Sequence, residues 1–381
     1  MKKIFFVSGE VSGDRLGSWY LKKLNEKSFE DNQEIQVTAI GGTFLQDAGA
    51  KLYKNLEELN IVGISEIIKK IPFILKFLKT LTKYILQNNF EEVVLIDFPG
   101  FNLRLAKYLK KANPKIKITY LSPPQTWVWG KNRIKKLKKY CDELIVLYPF
   151  EVEWYKKHNL KVYYFENPVY SKLKESFGNW QIDQNFLKNK KNQIAILPGS
   201  RTSEIKKLLP FVIDIVKKIK FVWPEIKIVL PIAQSFSKKF IKEELKKFET
   251  AQYNFGEHDI ILVQDEKEKL KLLSQCCLAI TKPGTITLEL ALLKVPSIVF
   301  YKTSWLTYFL ARTVIKVKYM SLPNLLLDRP VFKEFIQQDC KSDNIFKYFF
   351  DLYKSFLCQS DMYQKIQKEL FDIEKLLFSK K

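Results

Sequence analysis

The chain has 381 residues, 46% of them hydrophobic, which is material for more than one core at roughly 150 residues per domain and excludes wholesale disorder. A count of 64 Lys and Arg against 41 Asp and Glu leaves a net charge of +23, which suits an anionic partner: nucleic acid, anionic lipid or a phosphorylated substrate. The two isolated histidines, His158 and His258, and five cysteines with no C-x-x-C pair argue against a histidine-centred zinc site, a Ser-His-Asp triad and a disulfide framework.

A general base in this chain is therefore expected to be a carboxylate, and Cys141, Cys276, Cys277, Cys340 and Cys358 to be reduced thiols of a cytosolic protein. At the amino terminus only four apolar residues, Ile4 to Val7, follow Lys2 and Lys3, too few for an export signal. No run reaches the ~20 apolar residues of a membrane span; the nearest, 297–317, is broken by Lys302, Arg312 and Lys316.

Short β-branched runs alternate with helical patterns along the whole chain. Strands are expected at 3–8, 35–40, 92–97, 116–121, 144–148 and 162–165, and again at 193–197, 227–231, 260–263, 278–281 and 297–301. Strands separated by helices predict parallel sheets covered on both faces. The polar, lysine-rich stretch 170–192 reads as a linker, and 342–381 as helical throughout. The expected fold class is thus α/β, with two Rossmann-like parallel-sheet domains facing a cleft, 1–169 and 170–341. A helical tail, 342–381, is expected to pack back on the first. In open parallel sheets ligands bind at the carboxyl ends of the strands.

The motifs fall at such ends. The first strand runs into Gly9-Glu-Val-Ser-Gly-Asp14, where Glu10 and Asp14 are candidate bases. Asp97 stands where the strand 92–97 gives way to Phe98-Pro-Gly-Phe-Asn102. A carboxylate there is placed as a general base, or as a cap of the turn before the next helix. In the second half Leu197-Pro-Gly-Ser-Arg-Thr-Ser-Glu204 puts a flexible turn, hydroxyls and Arg201 before a helix. Backbone amides and the helix dipole favour a phosphate there, and an ordinary capped turn is the alternative. Lys282-Pro-Gly-Thr-Ile-Thr-Leu-Glu289 repeats that logic, with Glu289 suited to the ribose hydroxyls of a nucleotide or to a solvated helix face. G-x-G-x-x-G after the first strand, Walker A and D-x-D sequences are absent, which disfavours dehydrogenases, kinases and metal-dependent glycosyltransferases.

The segment 65–83 has amphipathic helical spacing. Lys69, Lys76, Lys79 and Lys83 share one face, and Ile67, Ile71, Ile74, Leu75, Leu78 and Leu81 the other, with Phe73 and Phe77 near the boundary. This is the pattern of an interfacial membrane helix or of a surface helix packed on a core. A second basic cluster, 131–139, follows Trp127 and Trp129 and reads as a phosphate-binding or a solvated face.

Taken in order, these segments resemble the lipid-A-disaccharide synthase family of glycosyltransferases. The resemblance runs from Gly9 to about Cys340. It includes Ile40-Gly-Gly42, Leu56-Glu-Glu-Leu-Asn-Ile-Val-Gly-Ile-Ser-Glu66, Leu121-Ser-Pro-Pro-Gln-Thr-Trp-Val-Trp129, Ser321-Leu-Pro-Asn324 and Glu334-Phe-Ile-Gln337. It implies a GT-B enzyme without metal or cofactor. Such an enzyme joins UDP-2,3-diacylglucosamine to 2,3-diacylglucosamine 1-phosphate, with inversion at the anomeric carbon and release of UDP. By the same resemblance Asp97 would deprotonate the acceptor 6-hydroxyl. Gly9, Glu10, Ser12, Gly13, Asp14, Asn102 and Trp127 would line the acceptor. Ser200, Arg201, Glu204, Gly284, Thr285, Thr287, Glu289, Asn324 and Gln337 would hold UDP.

The chain departs from the family at Gly100, where a second aspartate is frequent, at Glu166-Asn167 near the domain junction, and at Pro283, where serine is frequent. The partners expected are the two acylated sugars and an anionic membrane surface, not nucleic acid, with a homodimer left open. The expected location is cytoplasmic, peripheral on the inner membrane. The readings kept beside this one are another UDP-sugar enzyme of the same fold, such as a UDP-N-acetylglucosamine 2-epimerase, and a non-catalytic nucleic-acid-binding protein.

Overall fold

The computed structural model describes residues 1–56, 64–127, 131–178, 190–199, 202–233, 236–248, 259–302 and 318–378. The chain divides into two compact units, Met1–Pro168 and Val169–Lys381. Ser200, Arg201, His258 and residues 179–189 of the expected linker lie outside the described residues. The first part of that linker is instead the helix Pro168–Phe177, whose Val169 and Leu173 are buried.

In the first unit, β1 (Lys2–Ser8), β2 (Ile35–Gly41), β3 (Lys51–Asn55), β4 (Glu92–Ile96), β5 (Lys117–Leu121), β6 (Glu143–Val146) and β7 (Val162–Tyr164) form one sheet in the order β3-β2-β1-β4-β5-β6-β7. All its pairings are parallel. Its central strands are apolar on both faces because helices cover both. Phe5, Val7, Val93 and Leu95 face one core, and Ile4, Phe6, Val94 and Ile96 the other. The chain order reverses between β1 and β4, where Ser8 lies opposite Ile96.

The second unit repeats the plan with β8 (Lys191–Leu197), β9 (Lys227–Pro231), β10 (Ile260–Val263), β11 (Cys276–Thr281), β12 (Ser297–Tyr301) and β13 (Lys333–Ile336). The order is β10-β9-β8-β11-β12-β13, so the reversal falls between β8 and β11, where Leu197 lies opposite Thr281. β3 and β13 are absent from the sequence expectation. Both are short edge strands carrying lysines, a composition that blunts an edge and hides the strand signal.

The tail forms the helices Ser342–Leu357 and Asp361–Phe378, and both cluster within the second unit. Lys294 supplies a physical reason. Its fully buried Nζ donates to Leu370 O (2.9 Å), pairs with Glu374 (2.5 Å) and lies 4.4 Å from the Phe371 ring centroid. Gln367 Nε2 returns a bond to Lys294 O (3.1 Å). A buried ammonium needs such partners, and the last helix provides them. The rings of Phe349, Phe350 and Tyr353 surround Trp223, which seats the preceding helix at the end of the helix Thr202–Val222.

The helix Ile64–Gln87 takes the core-packed reading over its described side chains. Ile74, Phe77, Leu78, Leu81 and Ile85 are buried in the first unit's core. Leu75, expected on that apolar face, is instead 41% exposed beside Phe73 (48%), Lys76 and Lys79.

Candidate active site

Both reversals of strand order carry the motifs. At the first, β1 delivers Gly9 and β4 delivers Asp97. Asp97 and Phe98 both adopt left-handed backbone conformations (φ +45° and +47°), a strain that non-glycine residues hold only where the surroundings enforce it. The enforcing bonds are direct. Asp97 N donates to Leu121 O (3.0 Å), and Asp97 O accepts from the Tyr120 hydroxyl (2.6 Å) and from Asn102 Nδ2 (2.8 Å). Asn102 also donates to Ile96 O (3.1 Å), so this fully buried amide positions the end of β4.

The Asp97 carboxylate reaches solvent, yet desolvation by the surrounding protein pushes its pKa up to about 6. The nearby Glu10 carboxylate adds to the rise, and a hydrogen bond with the Phe98 amide opposes it. A carboxylate tuned in this way stays ionised at neutral pH and is a stronger proton acceptor than an ordinary aspartate.

The residues around Asp97 divide by what their polar atoms do. Glu10 is exposed on the loop after β1, near the carboxylate, and Ser12 is exposed in the first turn of the helix Val11–Glu30. Asp14 is buried. Its oxygens accept from Gly42 N (2.7 Å) and Phe44 N (3.1 Å), anchoring the helix Thr43–Asp47 to the helix Val11–Glu30. That is a supporting role, and it explains Gly41 and Gly42, where a Cβ would stand 2.8 Å from the Asp14 oxygens. At Gly13 a Cβ would stand 2.8 Å from Ser8 Oγ, and at Gly9 it would overlap the Phe98 ring. The glycines of this loop allow close approach to the end of β4. At Gly100 a Cβ would meet nothing within 4 Å.

Trp127 donates through Nε1 to Glu151 Oε1 (3.0 Å). Trp154 Nε1 donates to Thr126 Oγ1 (3.1 Å) and the Tyr155 hydroxyl to Pro124 O (2.6 Å), so the helix Pro149–Lys156 holds the loop 122–127 at three points. Burial pushes the Glu151 pKa up to about 7 against its hydrogen bonds from Trp127 and the backbone. Glu151 carries no motif signal in sequence beyond standing two residues after Pro149. Asn167, at another of the three departures, hydrogen-bonds the buried Tyr148 side chain.

At the second reversal, Gly199 (φ +132°) and Gly284 (φ +154°) follow β8 and β11. Gly284 and Thr285 are exposed at the start of the helix Thr285–Leu292, and a Cβ on Gly284 would meet nothing within 4 Å. Thr287 is buried. Its hydroxyl donates to Gly284 O (2.7 Å) and accepts from Leu322 N (3.3 Å), linking that turn to the segment 320–324.

Asn324 is fully buried and bonds both the N–H and the C=O of Phe332 (2.7 and 2.8 Å) and Glu334 Oε1 (2.9 Å). Glu334 accepts in addition from Met320 N and from both Ser321 N and Oγ, a role sequence reasoning missed. Gln337 follows β13 with φ +51°. Glu289 accepts from Lys269 Nζ (3.2 Å), and Glu204 pairs with Lys282. The geometry therefore leaves Gly284 and Thr285 accessible, while Thr287 and Asn324 support them.

Two open parallel sheets, each with its glycine-bearing turns at the point where strand order reverses, define a protein of the GT-B class. The same architecture occurs in an S. aureus MnaA–UDP structure (TM-score 0.58, 13% identity, 100% of this chain and 99% of that one). It also occurs in the UDP-GlcNAc 2-epimerase of Neisseria meningitidis bound to UDP-GlcNAc (0.54, 13%, 99% and 100%). At that identity the likeness is one of fold.

The family is set by sequence: residues 4–375 match Lipid-A-disaccharide synthetase, and the chain belongs to that family. The lipid-A-disaccharide synthase of Coxiella burnetii (strain RSA 331 / Henzerling II) is 34% identical over 89% of this chain and 85% of its own length. That of Sulfurihydrogenibium sp. (strain YO3AOP1) is 30% identical over 100% and 95%.

Proposed function

We propose that this enzyme transfers the diacylglucosamine of a UDP-linked donor to the 6-hydroxyl of 2,3-diacylglucosamine 1-phosphate, with Asp97 as the base. Asp97 takes the hydroxyl proton as the acceptor oxygen forms its bond to C1. The C1–O bond to the diphosphate breaks, its electron pair leaves with UDP, and the anomeric configuration inverts. The Gly284–Thr285 helix start, together with Ser200 and Arg201, holds the diphosphate, since backbone amides and a forked guanidinium suit phosphate oxygens. Glu10, exposed near Asp97, and Ser12, exposed at the start of the following helix, face the acceptor.

The observation that carries this reading is the strained, desolvated Asp97 at the first reversal of strand order. Exposed Phe73 and Leu75 among lysines support attachment to an anionic, cytoplasmic membrane surface, where acylated substrates reside.

Incubation of the purified protein with both acylated sugars, followed by mass analysis and anomeric assignment, tests the reading. It expects a disaccharide phosphate of inverted configuration and UDP. An acceptor-independent epimer of the UDP-sugar, or no product, would overturn it.

A further inference from the structure

Lys282 is the first residue after β11, and its N–H donates to Leu197 O (3.1 Å), joining the ends of the two strands that flank the second reversal. Its ammonium pairs with Glu204, in the first turn of the helix Thr202–Val222. The Glu204 carboxylate lies directly against the Cα of Gly199, where a Cβ would overlap it. A carboxylate thus lies against Gly199, between β8 and the start of the helix Thr202–Val222, and a helix start suits an anion. Both side chains are partly exposed, at 22% for Lys282 and 18% for Glu204, so the pair borders solvent.

Resting on the nucleotide reading above, we propose that Lys282 is a diphosphate ligand and that Glu204 competes with the diphosphate for its ammonium. A diphosphate arriving at the Gly199 and Gly284 turns brings like charge against Glu204, which has no means to donate to it. It brings opposite charge to Lys282, whose four-carbon stem lets the ammonium turn from carboxylate to phosphate. The exchange places a cation where negative charge grows on the leaving diphosphate as the C1–O bond breaks. Return of Glu204 to Lys282 then favours UDP release. Glu204, expected from the resemblance to hold UDP, thereby becomes its competitor.

Calorimetric titration of the full-length protein with UDP, and with uridine as the phosphate-free control, tests this assignment. Lys282→Met should weaken UDP binding about tenfold, the scale of one charge-assisted contact, and Lys282→Arg should restore most of it. Glu204→Gln should tighten UDP binding severalfold, and uridine affinity should stay level in all three variants. An unchanged UDP affinity in Lys282→Met, or a weakened one in Glu204→Gln, would overturn the proposal, as would a parallel loss of uridine binding. If the wild type binds no UDP, the nucleotide reading itself fails; if it binds UDP but makes no disaccharide, only the transfer reading does.

Discussion

Gly9 and Phe98 are packed so tightly that the ring occupies the place a Cβ on Gly9 would take. The turn after β1 and the residue that follows Asp97 therefore form one unit, with Phe98 held in turn against Phe101 (ring centroids 5.8 Å apart). Gly9→Ala must displace the ring, and with it the left-handed pair that aims the carboxylate. A misplacement of about 1 Å at a reacting group can cost about 10²-fold. We expect a fall of about that size in kcat, with UDP affinity measured by calorimetry unchanged.

The raised pKa of Asp97 has a consequence for stability. Its folded value, about 6, lies above the ordinary carboxylate value of 3.8, so the folded state holds the proton more tightly. Stability therefore falls as pH rises from about 4 to about 6, and the ionised carboxylate is a liability at neutral pH. Asn tolerates the left-handed backbone, so Asp97→Asn should raise the melting temperature at pH 7.5 and lose that advantage at pH 4. Thermal scans at the two pH values check the sign.

Asn324 makes the opposite trade. Its amide bonds both backbone groups of the fully buried Phe332, and Asn324→Ala leaves that N–H and C=O unpaired. The expected loss is about 2–4 kcal/mol, read as a lower urea midpoint with an unchanged slope. If the residue instead served mainly as a nucleotide contact, UDP affinity would fall and the midpoint would hold.

The helix Ile64–Gln87 separates membrane attachment from folding. Leu78 and Leu81 are fully buried, so changes there attack the core, whereas Phe73 and Leu75 are exposed. The double change Phe73→Asp and Leu75→Asp should leave the melting temperature near that of the wild type. It should also abolish sedimentation with anionic phospholipid vesicles.

Much of this was legible in the sequence, for identifiable reasons. Strands buried on both faces announce themselves as β-branched runs, so β1, β4, β8 and β11 and the loops they feed could be placed directly. The edge strands β3 and β13 could not, since lysine and glutamate interrupt them. Periodicity placed Leu75 with Leu78 because both fall on an apolar arc, but burial depends on what packs against the helix. Motif residues split into exposed Thr285 and Glu10 and buried Asp14, Asn102, Thr287 and Asn324. Hydrogen-bond accounting in three dimensions decides that split, and spacing does not. The tail's seat on the second unit depends on Lys294, an ammonium whose burial no local pattern signals.

The most direct test is the pH dependence of kcat/KM for disaccharide formation in the wild type and in Asp97→Asn. The account predicts an acidic limb with an apparent pKa near 6, below which the rate falls as the base is protonated. In Asp97→Asn the limb should vanish and the rate should drop by about 10²–10⁴-fold. A variant that keeps the wild-type rate, or a limb near 6 that survives the substitution, would contradict the assignment of Asp97 as the base.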